Sequence, residues 1–231
     1  MELNKTIEII GGNELEHNPL EYRSLQVAVY ERIKLMILNG ELPPKCKLQE
    51  ELLVALVGTS KTPIKLALAK LEQEGLVVSI PRRGAYVREL TKEDIAEIYL
   101  VRSALEGLAC SQAAKKITGK EIALLEKLLE QMQKAVAAKD SEEFLRLDEN
   151  FHEIILQLAA LELLNNQLSN LFSVIKLIKV RTVYLDDRIA KAYKEHAGIF
   201  EALRSRDGDR SEKEVKRHIL NAKKELLVAF G

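Results

Sequence analysis

Three of the four histidines in this 231-residue chain fall inside apolar stripes at helical spacing. His152 shares its stripe with Phe144, Leu147, Phe151, Ile155 and Leu158, and Asp148 lies one turn before it. His196 sits among Ile189, Ala192, Tyr193, Ile199, Phe200 and Leu203, and His218 among Val215, Ile219, Ala222 and Leu226. His17, in an acidic N-terminal stretch, has no such surroundings. The bland reading of each inward imidazole is a hydrogen-bonded core residue. An inward aspartate is harder to dismiss, because a buried carboxylate requires a cation or several donors. Asp148, His152, His196 and His218 therefore point to one divalent cation, the first two ligating it from a single helix face. Such a set suits zinc, nickel, manganese, iron or cobalt, with zinc the ion expected in purified protein. An octahedral ion would keep two positions for water or a small carboxylate. Arg102, on an apolar face with Ile95, Ile98, Tyr99, Leu105 and Ala109, has two readings. It pairs with Glu106 four residues on, at the helix surface, or it clamps the carboxylate of a small effector beside the ion.

A second group of residues suits a polyanion. Ser60-Lys61-Thr62-Pro63-Ile64-Lys65 opens a helix, with Ser60 or Thr62 as its cap and Pro63 in its first turn. Hydroxyls and backbone N–H groups there suit phosphate oxygens, and Lys61 and Lys65 project from one side. The tip Arg82-Arg83-Gly84 can enter a minor groove, where glycine permits close backbone approach. Taken singly, each is equally a capped helix or a basic turn. Their order is what argues for DNA.

The elements that must position these residues divide the chain in two. All five prolines lie within the first 81 residues, and the remaining stretch is rich in Leu, Ala, Glu and Lys, as a helix bundle is. Leu25, Val29, Ile33, Met36 and Ile37 predict a first helix, stopped by Gly40 and Pro43-Pro44. A short helix over Glu50 to Val57 ends at Gly58, and a third carries Ile64, Ala67, Leu68 and Leu71 up to Gly75. Strands at 76–80 and 85–88 flank the turn 81–84. Three helices and a hairpin in this order make a winged helix-turn-helix. Six further helices are predicted at about 92–116, 119–138, 142–161, 166–184, 188–205 and 212–229. Thr91/Asp94, Thr118/Glu121 and Ser211/Glu214 have capping-box spacing, and Ser141, Asp187 and Asn165 or Asn166 are plainer caps. The fold expected is mainly α: a winged head followed by an antiparallel bundle of about six helices.

Composition agrees. Formal net charge is zero, yet residues 20–90 carry eleven basic and eight acidic groups, which suits a polyanion-binding head on a neutral body. At 47% hydrophobic the chain is neither disordered nor fibrous. No apolar run reaches the ~18 residues of a membrane helix. Two cysteines, Cys46 and Cys110, cannot form a disulfide scaffold, so the expected setting is reducing cytoplasm. The expected divisions are an acidic tail over 1–20, a DNA-binding domain over 21–90 and a helical sensing domain over 91–231.

The head resembles the DNA-binding domain of GntR-type bacterial transcription regulators. Tyr30-Glu31-Arg32-Ile33, the run Ile37 to Pro44, Gly58 to Pro63, Glu74-Gly75-Leu76-Val77 and Pro81 to Val87 carry the likeness. It implies DNA contacts by Ser60, Lys61, Thr62, Lys65, Arg83 and Gly84. Lys61 and Lys65 stand where the pattern has arginines, and Glu51 where it has a basic residue, so either Glu51 turns aside from phosphate or the operator differs. The body resembles the FCD domain of the FadR subgroup through Arg102 with Leu105-Glu106, Asp148 to His152, Asn165 with Leu168, His196 and His218. That likeness implies a divalent ion on Asp148, His152, His196 and His218.

The function expected is a homodimeric regulator, not an enzyme, that represses from a palindromic operator. Its two recognition helices would stand ~34 Å apart. A small organic acid, held by the ion and Arg102, would alter that spacing. Two alternatives remain open from sequence: a metal-dependent enzyme with a DNA-binding appendage, with Glu106 the weak candidate for a base, and a regulator whose signal is the metal itself.

Overall fold

A computed structural model describes residues 19–182 and 188–229. The acidic tail and His17 lie outside the described residues up to position 18, as does the cap assigned to Asp187. In the N-terminal part α1 (Pro19–Leu38), α2 (Glu50–Val57) and α3 (Lys61–Gln73) precede β1 (Val77–Ile80) and β2 (Gly84–Val87). The strands pair antiparallel, Val77 with Val87 through to Ile80 with Gly84. Arg82 (φ 63) and Gly84 (φ 100) take the left-handed backbone that closes so tight a turn. A third short segment joins the hairpin's edge. Lys45 and Leu48 donate backbone hydrogen bonds to Val87 and Ala85, and Lys47 bridges Tyr86.

The head's core is built from Ile33, Leu53, Ile64, Leu71 and Leu76, all at most 2% exposed. Burying each aliphatic side chain contributes about 1.5–3 kcal/mol against the entropy of ordering the chain. Gly58 (φ 73) ends α2, donating its N–H to Val54. That leaves room for the turn that throws α3 across α1. Leu25 is 43% exposed and lies outside this core, because α1 begins at Pro19 and the stripe that packs starts at Val29.

The C-terminal part contains six helices: α4 (Lys92–Lys116), α5 (Gly119–Ala138), α6 (Ser141–Ala159), α7 (Glu162–Thr182), α8 (Arg188–Arg204) and α9 (Gly208–Ala229). Both full capping boxes form, at Thr91/Asp94 and Thr118/Glu121, and both helices start where they were expected. Three other starts move. Asp140, not Ser141, caps α6, its carboxylate accepting from Glu143 N at 2.9 Å. Asp207 caps α9 a full turn before Ser211, whose buried hydroxyl instead donates to the Asp207 carbonyl. An ionised carboxylate at a helix N-terminus gains from the dipole as well as from the hydrogen bond, so each aspartate displaces the later serine. α7 begins at Glu162, which puts Asn165 and Asn166 inside it; Asn165 donates back to Leu156 O at the end of α6.

α4 is the central rod, packed along α9 and against α6, α7 and α8. Gly107 permits the close approach to α9: a Cβ there would stand 2.8 Å from Lys216 Cε. The two cores meet. Val174 of α7 is 5% exposed within the head's core, and Leu90 and Ile98 touch both clusters. Gly75 presses on Val174, its Cβ position 3.4 Å from the valine Cγ2.

Candidate metal centre and nucleic-acid interface

The apolar stripes of α6, α8 and α9 turn their polar exceptions towards one point. Asp148, His152, His196 and His218 are all buried, and one ligand atom from each lies within 4.8 Å of the others. Their rings crowd together, His196 and His218 with centroids 4.5 Å apart and His152 and His218 5.3 Å apart. Phe151 and Phe144 wall the cluster edge-on against His196.

The outward nitrogen of each ring settles its tautomer. His196 Nδ1 is 2.7 Å from the Ala192 carbonyl, which can only accept, so the proton sits on Nδ1. His152 Nδ1 lies 2.6 Å from Glu106 Oε2 and His218 Nδ1 lies 2.8 Å from Glu195 Oε2. With its proton on Nδ1, each ring would turn a bare Nε2 lone pair inward. His152 Nε2 and His196 Nε2 carry no hydrogen bond among the described residues, although His196 Nε2 stands 3.1 Å from Asp148 Oδ1. Two buried Nε2 atoms thus face inward beside the Asp148 carboxylate. A divalent cation is what such a set fits.

The electrostatics favour the metal-binding form of His218. Burial, reinforced by the neighbouring His196 and only partly opposed by Glu195, pushes His218 down to about 3, so it is neutral at ordinary pH. Burial alone would raise Glu106, but the Arg102 guanidinium and His152 outweigh it and hold the carboxyl at about 2. Glu195 is likewise brought to about 2, burial being overcome by hydrogen bonds from His218 and Asn221.

A cavity of about 340 Å³ opens beside the quartet, walled by Asp148 and His152, by Arg102, and by Leu156, Asn165 and Phe172. Arg102 makes the pairing that its spacing offered, in a different setting. Its Nε does pair with Glu106, yet the pair is buried, 4% and 2% exposed, rather than at the helix surface. The guanidinium lies over the Tyr99 and Phe172 rings at 5.6 and 5.7 Å, part of the cavity wall. Burial works against the charge, but Glu106 more than restores it.

At the other end of the molecule Ser60, Lys61, Thr62 and Lys65 form an exposed row along the start of α3, with Arg83 and Gly84 exposed at the hairpin tip. Ser60 occupies the N-cap position with extended backbone and makes no side-chain cap, which leaves its hydroxyl outward. Glu51 stands beside this row. It accepts from Lys61 Nζ at 2.7 Å, while Glu50 lies 3.8 Å from Lys65 Nζ.

Comparison with known proteins agrees with both ends. Residues 97–221 match the FCD domain model, and residues 25–87 match the model of bacterial regulatory proteins of the gntR family. The chain belongs to the GntR family, in its FCD branch. It is 30% identical over 190 residues to the uncharacterized HTH-type transcriptional regulator YdhC of Bacillus subtilis, covering 82% of this chain and 85% of that one. It is 27% identical to the HTH-type transcriptional repressor RspR of Escherichia coli, covering 89% and 90%. Among solved structures, E. coli McbR/YncC superposes with a TM-score of 0.74 at 21% identity, over 90% of this chain and 99% of that one, a likeness of fold.

In this GntR/FCD regulator the partners behind the ligands were not all legible from sequence. Glu106 stands out in the sequence as a companion to Arg102 and a weak candidate base, yet it also meets His152. Glu195 and Asn221 went unnoticed, although Asn221 follows His218 by three residues and so shares its face. Glu195 sits next to His196 in the chain, but reaches His218 only through the mutual setting of α8 and α9. Among the described residues no single helix is long and apolar enough to cross a membrane.

Proposed function

We propose that this regulator is a homodimeric repressor of palindromic operators in the cytoplasm, released by a small organic acid bound at a divalent ion. Residues 21–90 would be its DNA-binding domain and 91–231 its sensing domain. The observation that carries the reading is the set of inward Nε2 lone pairs converging on Asp148 beside a cavity walled by Arg102. Asp148, His152, His196 and His218 would hold the ion, zinc or another of the transition metals named above. Bound there, it would supply a Lewis-acid docking point for a carboxylate oxygen. Arg102 would meet the same carboxylate with its guanidinium edge, its charge kept by Glu106.

Enzymatic work is disfavoured by the chemistry of Glu106. With Arg102 and His152 both on its carboxylate, it is a poor proton acceptor. On the head, Ser60, Lys61, Thr62 and Lys65 would face the major groove, and Arg83 and Gly84 the minor groove. A second copy would cover the outward face of α4, where Leu100, Val101 and Leu108 are 53%, 43% and 45% exposed. That row is apolar and unbroken by charge, with Ala104 between.

The test starts from duplexes recovered by the protein from a random-sequence library. Native mass spectrometry should show a dimer on one duplex. Small hydroxy- and dicarboxylic acids should then weaken duplex binding by the metal-loaded protein and leave the chelated protein unaffected. Duplex binding that follows metal alone, indifferent to every acid, would make the ion the signal. Conversion of an acid would make the protein an enzyme.

A further inference from the structure

The reading surface is nearly neutral where a nucleic-acid binder is ordinarily basic. Lys61 and Lys65 are the only cations along the exposed start of α3, and each faces a carboxylate of α2: Glu51 at 2.7 Å and Glu50 at 3.8 Å. The third lysine of α3, Lys70, is turned away, its ammonium 3.7 Å over the Tyr30 ring. The exposed positive charge left over is at the hairpin, Arg82 and Arg83 at its tip and Lys47 beside Gly84.

We propose that Glu51 is a specificity-determining residue: by holding Lys61, it penalises contact with arbitrary DNA more than contact with the cognate sequence. The inference rests on the DNA-binding reading above. In a helix-turn-helix the first helix of the motif crosses the phosphate backbone, while the second enters the major groove. α2 is that first helix, so a carboxylate on its first turn stands near phosphates. Held by Glu51, Lys61 offers a phosphate almost no net charge to neutralise, and letting go of Glu51 exposes an unpaired carboxylate to the backbone's field. Guanine O6 and N7 make a different demand. An ammonium has three donors, so Lys61 can meet a base edge and keep Glu51 as one of its acceptors. The pair thus subtracts from sequence-independent binding and largely spares base readout. Discrimination by an element that disfavours the wrong partner is a general route to specificity. Glu51 and Lys61 are both largely exposed, 69% and 57% at the side chain, so replacing either leaves the core untouched.

The experiment compares wild type with Glu51→Gln, Lys61→Ala and the double variant, as full-length metal-loaded protein. The probes are a mixed-sequence duplex and the best duplex recovered from a random library, followed by fluorescence anisotropy across a salt series. Glu51→Gln should bind the mixed-sequence duplex about three- to tenfold more tightly, with a log–log salt slope steeper by about one per head. Its gain on the selected duplex should be smaller, so that the specificity ratio falls. Adding Lys61→Ala should abolish the gain on mixed sequence. Unchanged affinity and slope in Glu51→Gln, or a gain that survives loss of Lys61, would overturn the inference. Failure of all four proteins to bind either duplex would contradict the DNA-binding reading itself.

Discussion

Glu195 touches no ion, yet its replacement should weaken metal binding by about ten- to a hundredfold, or about 1.4–2.7 kcal/mol. The magnitude follows from what its two oxygens do. Oε2 accepts the Nδ1 proton of His218 at 2.8 Å, and Oε1 accepts from Asn221 Nδ2 at 2.8 Å. Together they fix the tautomer that leaves His218 Nε2 bare and set the ring's tilt. In Glu195→Ala the proton is free to move to Nε2, which blocks the ligand atom, so the loss should lie near the upper figure. Glu195→Gln keeps a carbonyl acceptor for Nδ1–H and should lie near the lower one. The fold should survive, because Arg188, which also approaches Glu195 at 3.5 Å, retains Glu225 at 2.9 Å. Competition with a metal chelator of known affinity gives the metal dissociation constants, and denaturant melts of the chelated proteins give stability. Wild-type affinity in Glu195→Ala would refute the reasoning. So would an affinity loss fully matched by lost stability of the chelated form, since Glu195 would then be a structural residue only.

Stability of the chelated protein should be level above about pH 6.5 and decline below it. Unfolded His218 takes a proton near 6.5, whereas the buried ring resists until about 3, so acid favours the unfolded chain throughout that window. A further decline should follow below 4.5, where unfolded glutamates protonate but Glu106 and Glu195, held at about 2, do not. Urea melts from about pH 8 down to about pH 3 check this, and His218→Asn should flatten the upper limb. Val174→Ala removes two methyl groups from the head's core and should cost about 1–3 kcal/mol there, with no change in metal affinity. Hydrogen exchange across α3 and the hairpin reads that loosening; protection unchanged from wild type would mean that α7 does not brace the head.

What the sequence disclosed was what local physics determines. Thr91 and Thr118 close their capping boxes within three residues, so α4 and α5 begin where the pattern puts them. The metal-type residues were legible because helical periodicity alone places Asp148, His152, His196 and His218 on buried stripes. Where two local solutions competed, pattern was not enough: Asp140 against Ser141 and Asp207 against Ser211 turn on which side chain reaches the first free N–H groups. Pairings between elements were out of reach. Glu195 meets His218 across α8 and α9, and Glu51 meets Lys61 across a turn, each fixed by how two helices are rotated about their axes. The edge segment of Lys45 to Leu48 is too short to carry an alternating pattern.

The most direct test is elemental analysis of the purified full-length protein beside native mass spectrometry, for wild type and for His196→Ala. One transition-metal ion per chain in the wild type, lost in a His196→Ala protein that still folds, is the result expected of side chains from α6, α8 and α9 converging on a single ion. A folded wild-type protein that takes up no divalent ion when supplied with one, or a His196→Ala variant that retains its full complement, would contradict it.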